Sequence, residues 1–178
     1  MRPLVVVATT AEAAHVPDAL RVVVTGMGKT AAAVATTRAV LEERPSHVYN
    51  VGSAGALRDG LSGLFEVGTV VNHDISAEAV RALGYDPQDV LPVGDSDIVL
   101  ATGDLFVSDV GVRARLAERA HLVDMEGYAV AYAARTLGVP VSVVKHVSDD
   151  ADESALAWAD LVSASARAVG QWLAEHVG

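Results

Sequence analysis

The sequence predicts an α/β fold, a twisted central sheet, mostly parallel or mixed, flanked by helices. Three observations carry it. Short β-branched runs alternate along the chain with longer Ala-rich stretches of helical period. The 178 residues are 51% hydrophobic but only 4% aromatic, so the core is built from Ala, Val and Leu, which suits helices packed closely on a parallel sheet. No internal repeat, low-complexity stretch or linker interrupts the pattern, so residues 1–178 read as one compact domain.

The elements follow in order. Residues 4–8, Leu-Val-Val-Val-Ala, form a buried strand bounded by Thr9-Thr10, and residues 21–25 form a second, ended by Gly26. Residues 30–43 are Ala-rich and periodic, a helix that stops before Pro45. A third strand at 47–51 ends in the small-residue run Gly52-Ser53-Ala54-Gly55, and a fourth spans 66–72. Residues 74–97 carry Gly84, Pro87, Pro92 and Gly94 and read as an irregular loop with one helical turn at most. A fifth strand covers 98–102. Ser108 or Asp109 caps a helix running to about residue 120. The next helix, 126–137, is ended by Gly138 with Pro140 beyond; a sixth strand spans 141–147 and a long amphipathic helix spans 155–176.

Composition excludes several functions. A net charge of −10 argues against nucleic acid or an anionic membrane as partner. Zero Cys removes disulfides, thiol chemistry and the common structural zinc sites, and no two histidines have metal-ligand spacing, so neither metal nor cofactor is expected. Residues 4–8 are too short for a signal core, and no stretch approaches a membrane span. These features predict a soluble, cytoplasmic protein.

Chemistry is expected at the strand ends. Val123-Asp124-Met125-Glu126-Gly127 and Val147-Ser148-Asp149-Asp150 each place carboxylates between an apolar run and a turn or helix start, and Glu12 follows the first strand. Gly26-Met27-Gly28-Lys29-Thr30-Ala31 fits a dinucleotide fingerprint, but the next strand ends in Asn50-Val51-Gly52-Ser53 without the acid that would bind a ribose. It fails as a phosphate loop because Val23 stands where the first glycine belongs. A tight turn, or a Gly-rich turn lining a small-molecule site, is what remains.

Six segments in order now resemble one family: Ala11-Glu12, Gly26-Met27-Gly28-Lys29, Asn50-Val51-Gly52-Ser53-Ala54-Gly55, Thr102-Gly103-Asp104-Leu105-Phe106-Val107, Val123-Asp124-Met125-Glu126-Gly127 and Val147-Ser148-Asp149. The series resembles the purine nucleoside phosphorylase and nucleosidase superfamily, most of all the methylthioadenosine/S-adenosylhomocysteine nucleosidases. The resemblance implies that Glu126 grips the ribose hydroxyls beside Met125, which packs on the sugar. Asp149 protonates the purine at N7, and Glu12 orients or activates the attacking water. Ser53 faces sugar and nucleophile, Phe106 stacks on the base, the Val107 backbone reads the base edge, and Met27 lies on the sugar side.

The chemistry is consistent with those roles. Cleaving an N-glycosidic bond builds positive charge on the ribose and negative charge on the base. A carboxylate near the sugar meets the first, and an acid that has kept its proton meets the second. Glu12 must be ionised to accept a proton from water. A plainer reading stands beside each residue. The plainer reading has Glu126 serving only the helix dipole, Asp149 capping a turn, Glu12 beginning a helix and Phe106 in the core. The six histidines default to solvated or core roles, and Trp158 and Trp172 to packing, with closure of the base pocket a lesser reading for Trp158.

The chain departs from the family in four places. Residues 12–26 are compressed, so a pair of strands is lost, and 74–97, which helps form the dimer and the 5′ pocket in relatives, is short. Lys145-His146 replaces an Arg-Ala type pair, and Asp124 replaces the usual acid before Met125. The acid in Thr9-Thr10-Ala11-Glu12, with no Arg, favours water over phosphate as nucleophile. The expectation is thus a nucleosidase releasing the base of a purine nucleoside. Futalosine hydrolase or nucleoside phosphorylase activity is the near alternative, and a non-catalytic nucleoside-binding protein the distant one. The low charge of residues 31–40 predicts a homodimer or larger assembly.

Overall fold

A computed structural model describes residues 2–177, apart from the side chains of Ser154 and Asp160. Its strands are β1 (Leu4–Val7), β2 (Arg21–Val24), β3 (Val48–Ala56), β4 (Leu64–Glu66), β5 (Thr69–Asn72), β6 (Val90–Pro92), β7 (Val99–Thr102), β8 (Leu122–Asp124) and β9 (Val141–Asp149). Its helices are α1 (Lys29–Glu43), α2 (Ala77–Ala82), α3 (Val110–Ala117), α4 (Gly127–Thr136) and α5 (Trp158–His176), with 3-10 turns at Glu12–His15 and Glu153–Ala157.

One mixed, nine-stranded sheet runs β2-β1-β3-β8-β7-β5-β6, with β9 beside β3 and β4 beside β9. Parallel pairing joins β1 to β2 and β3, β3 to β9, and β7 to β5 and β8; β3–β8, β4–β9 and β5–β6 are antiparallel. The long β3 changes neighbour along one edge. Val48–Asn50 pair with β1, whereas Gly55 and Ala56 pair with β8. β1 is buried at every position, which is why its sequence shows no alternation. α4 packs against α1, and α5 packs on β9 and on the 3-10 turn Glu12–His15. At Gly170 of α5 a Cβ would lie 2.2 Å from the His15 carbonyl oxygen, so glycine permits that close seat.

Several expected boundaries move, each for a long-range reason. The third strand does not end at Val51; it continues through Gly52-Ser53-Ala54-Gly55 to Ala56. Those glycines are there for close approach within a strand: a Cβ on Gly52 would lie 2.7 Å from Glu12 Oε1, and one on Gly55 2.9 Å from Ala151 Cβ. The strand expected at 66–72 is two strands. Val67 still bonds to Val143 on the β9 side, while Gly68 bonds to Ile98 and hands the chain to β7. Within the expected loop 74–97 lie α2 and β6, the latter paired with β5. The last strand extends past Val147 to Asp149, whose register partner is Gly55. The C-terminal helix begins as a 3-10 turn and becomes α-helical only at Trp158. Asp109 caps α3 as expected, accepting from Val112 N–H at 2.9 Å.

Candidate active site

The ends of β1, β3, β8 and β9 open on a cleft of about 540 Å³, counting the part open to solvent. All eight residues singled out from the sequence line it: Glu12, Met27, Ser53, Phe106, Val107, Met125, Glu126 and Asp149. They come from segments far apart in sequence, and the strand ends bring them together.

Glu12 is buried on its 3-10 turn and surrounded by donors. Its Oε2 accepts from the Thr9 backbone N–H at 3.1 Å and the Thr9 hydroxyl at 3.2 Å. Its Oε1 accepts from the Ser53 N–H at 2.9 Å and the Ser53 hydroxyl at 2.8 Å. The absent Cβ of Gly52 leaves room for this approach. These four contacts hold the Glu12 carboxylate in place from both of its oxygens.

Glu126 precedes α4 but does not cap it. Asp124 instead accepts from Gly127 N–H at 2.8 Å, and Glu126 Oε1 reaches across to accept from Gly28 N–H at 2.7 Å. Gly28 offers that N–H at φ 93°, a conformation that L side chains avoid. Beneath Glu126 lies a buried ion pair. Lys145 Nζ stands 2.9 Å from Asp124 Oδ2, with the two side chains 3% and 2% exposed, and Thr102 donates its hydroxyl to Asp124 Oδ1 at 2.6 Å. Burial would lower the lysine's pKa, but Asp124, Glu126 and Glu12 together raise it above the ordinary value. Burial, then the Asp124 charge, push Glu126 up to about 7, with Lys145 and the Gly28 N–H opposing.

That shift has a sign. Glu126 is more basic folded than unfolded, so its contribution to stability is full below the usual carboxyl range and is lost as pH rises through about 7. Urea unfolding at pH 5.5 and pH 8 should show this component of stability falling with pH. Glu126→Gln should flatten it; an unchanged pH dependence in that variant would rule out Glu126 as its source.

Asp149 sits at the tip of β9. It accepts from the Ala151 N–H at 2.9 Å and the Ser148 hydroxyl at 2.6 Å, so it does hold a local turn, and it also lines the cleft. The opposite wall is apolar and open: Phe106 is 41% and Met27 52% exposed. An ionic knot sets these two segments against each other. The Lys29 N–H donates to Asp104 Oδ1 at 2.7 Å, its ammonium binds Asn72 at 2.9 Å and pairs closely with Asp74, and the Asp104 N–H donates to Asp74 at 2.8 Å. The knot ties the turn bearing Met27 to the loop bearing Phe106.

Sequence reasoning missed some of the site. Trp158 is not mere packing: it lines the cleft and donates its indole N–H to Ser53 Oγ at 2.9 Å. In the sequence Lys145 stands out only as a departure from the family pattern, and Asp124 as another departure and as one carboxylate of the segment 123–127, with no sign that the two pair. The available signal was a lysine in the interior of an apolar strand, which requires a buried acid. Among the described residues, no three His, Asp or Glu side chains converge as metal ligands would.

The model of the Phosphorylase superfamily matches residues 18–75 and 77–176. The 5′-methylthioadenosine/S-adenosylhomocysteine nucleosidase of Shewanella oneidensis is 31% identical over 160 residues, covering 71% of this chain and 65% of that protein. The chain thus spans a little under two thirds of that relative's length. The solved 5′-methylthioadenosine/S-adenosylhomocysteine nucleosidase of Helicobacter pylori superposes with a TM-score of 0.86 at 23% identity, over 98% of this chain and 97% of that one. The native futalosine hydrolase of Helicobacter pylori gives 0.84 at 23%, over 98% and 96%. These structures share the fold.

Proposed function

The chain belongs to the Phosphorylase superfamily, and we propose that it hydrolyses the N-glycosidic bond of a purine nucleoside such as 5′-methylthioadenosine or S-adenosylhomocysteine. One observation carries the reading: Glu12, Glu126 and Asp149, from three separate elements, converge on a single cleft with an open apolar wall. In this reading Phe106 and Met27 take the flat base and the sugar, Val107 borders the base edge, and Glu126 accepts the ribose hydroxyls with Met125 against the ring. Asp149 donates a proton to the departing base, and Glu12 accepts one from water beside Ser53. Residues 1–178 are read as one domain, because a single sheet joins all nine strands among the described residues.

Water is favoured over phosphate by the use of the donors. Both N–H groups and both hydroxyls of Thr9 and Ser53 are turned on Glu12, and among the described residues neither Arg nor Lys lines the cleft. A phosphate would meet a carboxylate and find no cation. The likeness in fold to futalosine hydrolase keeps a futalosine hydrolase type of activity as the second reading.

Base release from a panel of purine nucleosides, with and without phosphate, tests this. Adenine should appear from 5′-methylthioadenosine at a rate that phosphate leaves unchanged. Release that requires phosphate would make the protein a phosphorylase; tight binding without release would make it a binding protein.

No helix among the described residues is long and apolar enough to cross a membrane. We place the reaction in the cytoplasm, in line with the acidic, cysteine-free composition. The outer face of α1 supports a homodimer: Val34 is 66% and Leu41 60% exposed on it. Sedimentation at micromolar concentration should give a dimer, and Val34→Glu with Leu41→Glu should give monomers. A wild-type monomer would remove this proposal.

A further inference from the structure

We propose that Trp158 is a positioning residue that sets the direction of the Ser53 hydroxyl, so that Ser53 meets a ligand only as a hydrogen-bond acceptor. The inference rests on the reading of the cleft as a nucleosidase site and extends it to the choice of nucleophile.

An indole nitrogen can only donate. The 2.9 Å contact from Trp158 Nε1 to Ser53 Oγ therefore has the tryptophan giving and the serine accepting. A hydroxyl has one hydrogen and two lone pairs. One lone pair of Ser53 is taken by Trp158, and the single hydrogen lies on the line to Glu12 Oε1, 2.8 Å away. The Ser53 backbone N–H is committed to the same oxygen at 2.9 Å. What Ser53 has left for the cleft is one lone pair.

The consequence is selective. A water molecule or a sugar hydroxyl can donate to that lone pair. An unprotonated phosphate oxygen, a carboxylate or an ether oxygen cannot, because each needs a hydrogen that Ser53 has already given away. Without the indole N–H the hydroxyl regains a choice: it can rotate off Glu12 and donate into the cleft. Trp158 thus holds Glu12 and Ser53 in one arrangement, and it does so from the first residue of α5, 105 positions along the chain from Ser53.

The test has two parts. The first needs no activity. In the nitrogen-labelled protein the two tryptophans give two indole N–H resonances, and Trp158→Phe identifies the one that disappears. Ser53→Ala should shift the Trp158 resonance and speed its exchange with solvent while leaving that of Trp172 in place. An unmoved Trp158 resonance would overturn the proposal. The second part is a kinetic cycle. Trp158→Phe keeps the ring and loses the donor, and it should lower kcat about tenfold while changing KM less than about threefold, the loss expected for one hydrogen bond. In a Ser53→Ala background the same change should cost less than about twofold. Equal losses in both backgrounds, or a change confined to KM, would show Trp158 acting as a wall for the ligand and not through Ser53. If the wild-type protein cleaves no nucleoside, the proposed reaction falls, and the indole resonance still decides the hydrogen bond.

Discussion

Asp149→Asn is expected to lower the turnover number by roughly 10²–10⁴-fold on the cleaved nucleoside, the usual range for loss of a general acid. The substitution is close to isosteric, and the local bonds tolerate it. The amide oxygen can still accept from the Ala151 N–H, and the amide nitrogen can donate to the Ser148 hydroxyl. The turn after β9 should therefore survive, and substrate binding should weaken only modestly. What is lost, in the proposed reaction, is the proton that relieves charge on the departing base. Glu126→Gln should behave differently, raising KM as well as lowering kcat, because the proposed contact to the ribose exists before and during bond cleavage. Adenine release by Asp149→Asn at the wild-type rate would mean that the proton comes from elsewhere.

Lys145→Met should cost about 3–5 kcal/mol of folding stability, the penalty for stranding a buried charge. The lysine is the nearest cation to Asp124, and the charges of Glu126 and Glu12 also reach it. Its removal leaves buried carboxylates with only neutral donors. Chemical denaturation should show the loss as a lower midpoint with an unchanged slope. Adding Asp124→Asn should recover part of it. Asparagine removes the stranded charge and can still accept from the Thr102 hydroxyl or the Gly127 N–H. Lys145 also holds the Glu126 carboxyl down, so the single variant should move the midpoint of the Glu126-dependent pH effect above about 7. A variant as stable as wild type would rule out a cost for stranding these carboxylates.

Much of the site was legible because its acids interrupt apolar runs. Glu12, Glu126 and Asp149 stand where a strand gives way to a turn, a position readable from neighbours in the chain, and the structure gathers them in one cleft. Element types were legible for the same reason. The β-branched run at Leu4–Val7, the Ala-rich helix Lys29–Glu43 stopping before Pro45, and the cap at Asp109 all follow from local preference. The run Gly52-Ser53-Ala54-Gly55 reads as the end of a strand because glycine is poor in strand interiors, whereas here it makes room for Glu12 and Ala151 within the strand.

By itself, then, the sequence determined the fold class, the rough order of elements and the residues able to carry acid–base chemistry, since each depends on period and on near neighbours. Only the tertiary structure decided what those residues hold. The donors around Oε1 of Glu12 come from Ser53, 41 positions away, Glu126 is held by Gly28 at 98, and Ser53 is met by Trp158 at 105. Hydrogen bonds and buried charges act over a few ångströms in space whatever the separation in sequence. Which donor meets which acceptor is settled only when the sheet brings its strand ends together.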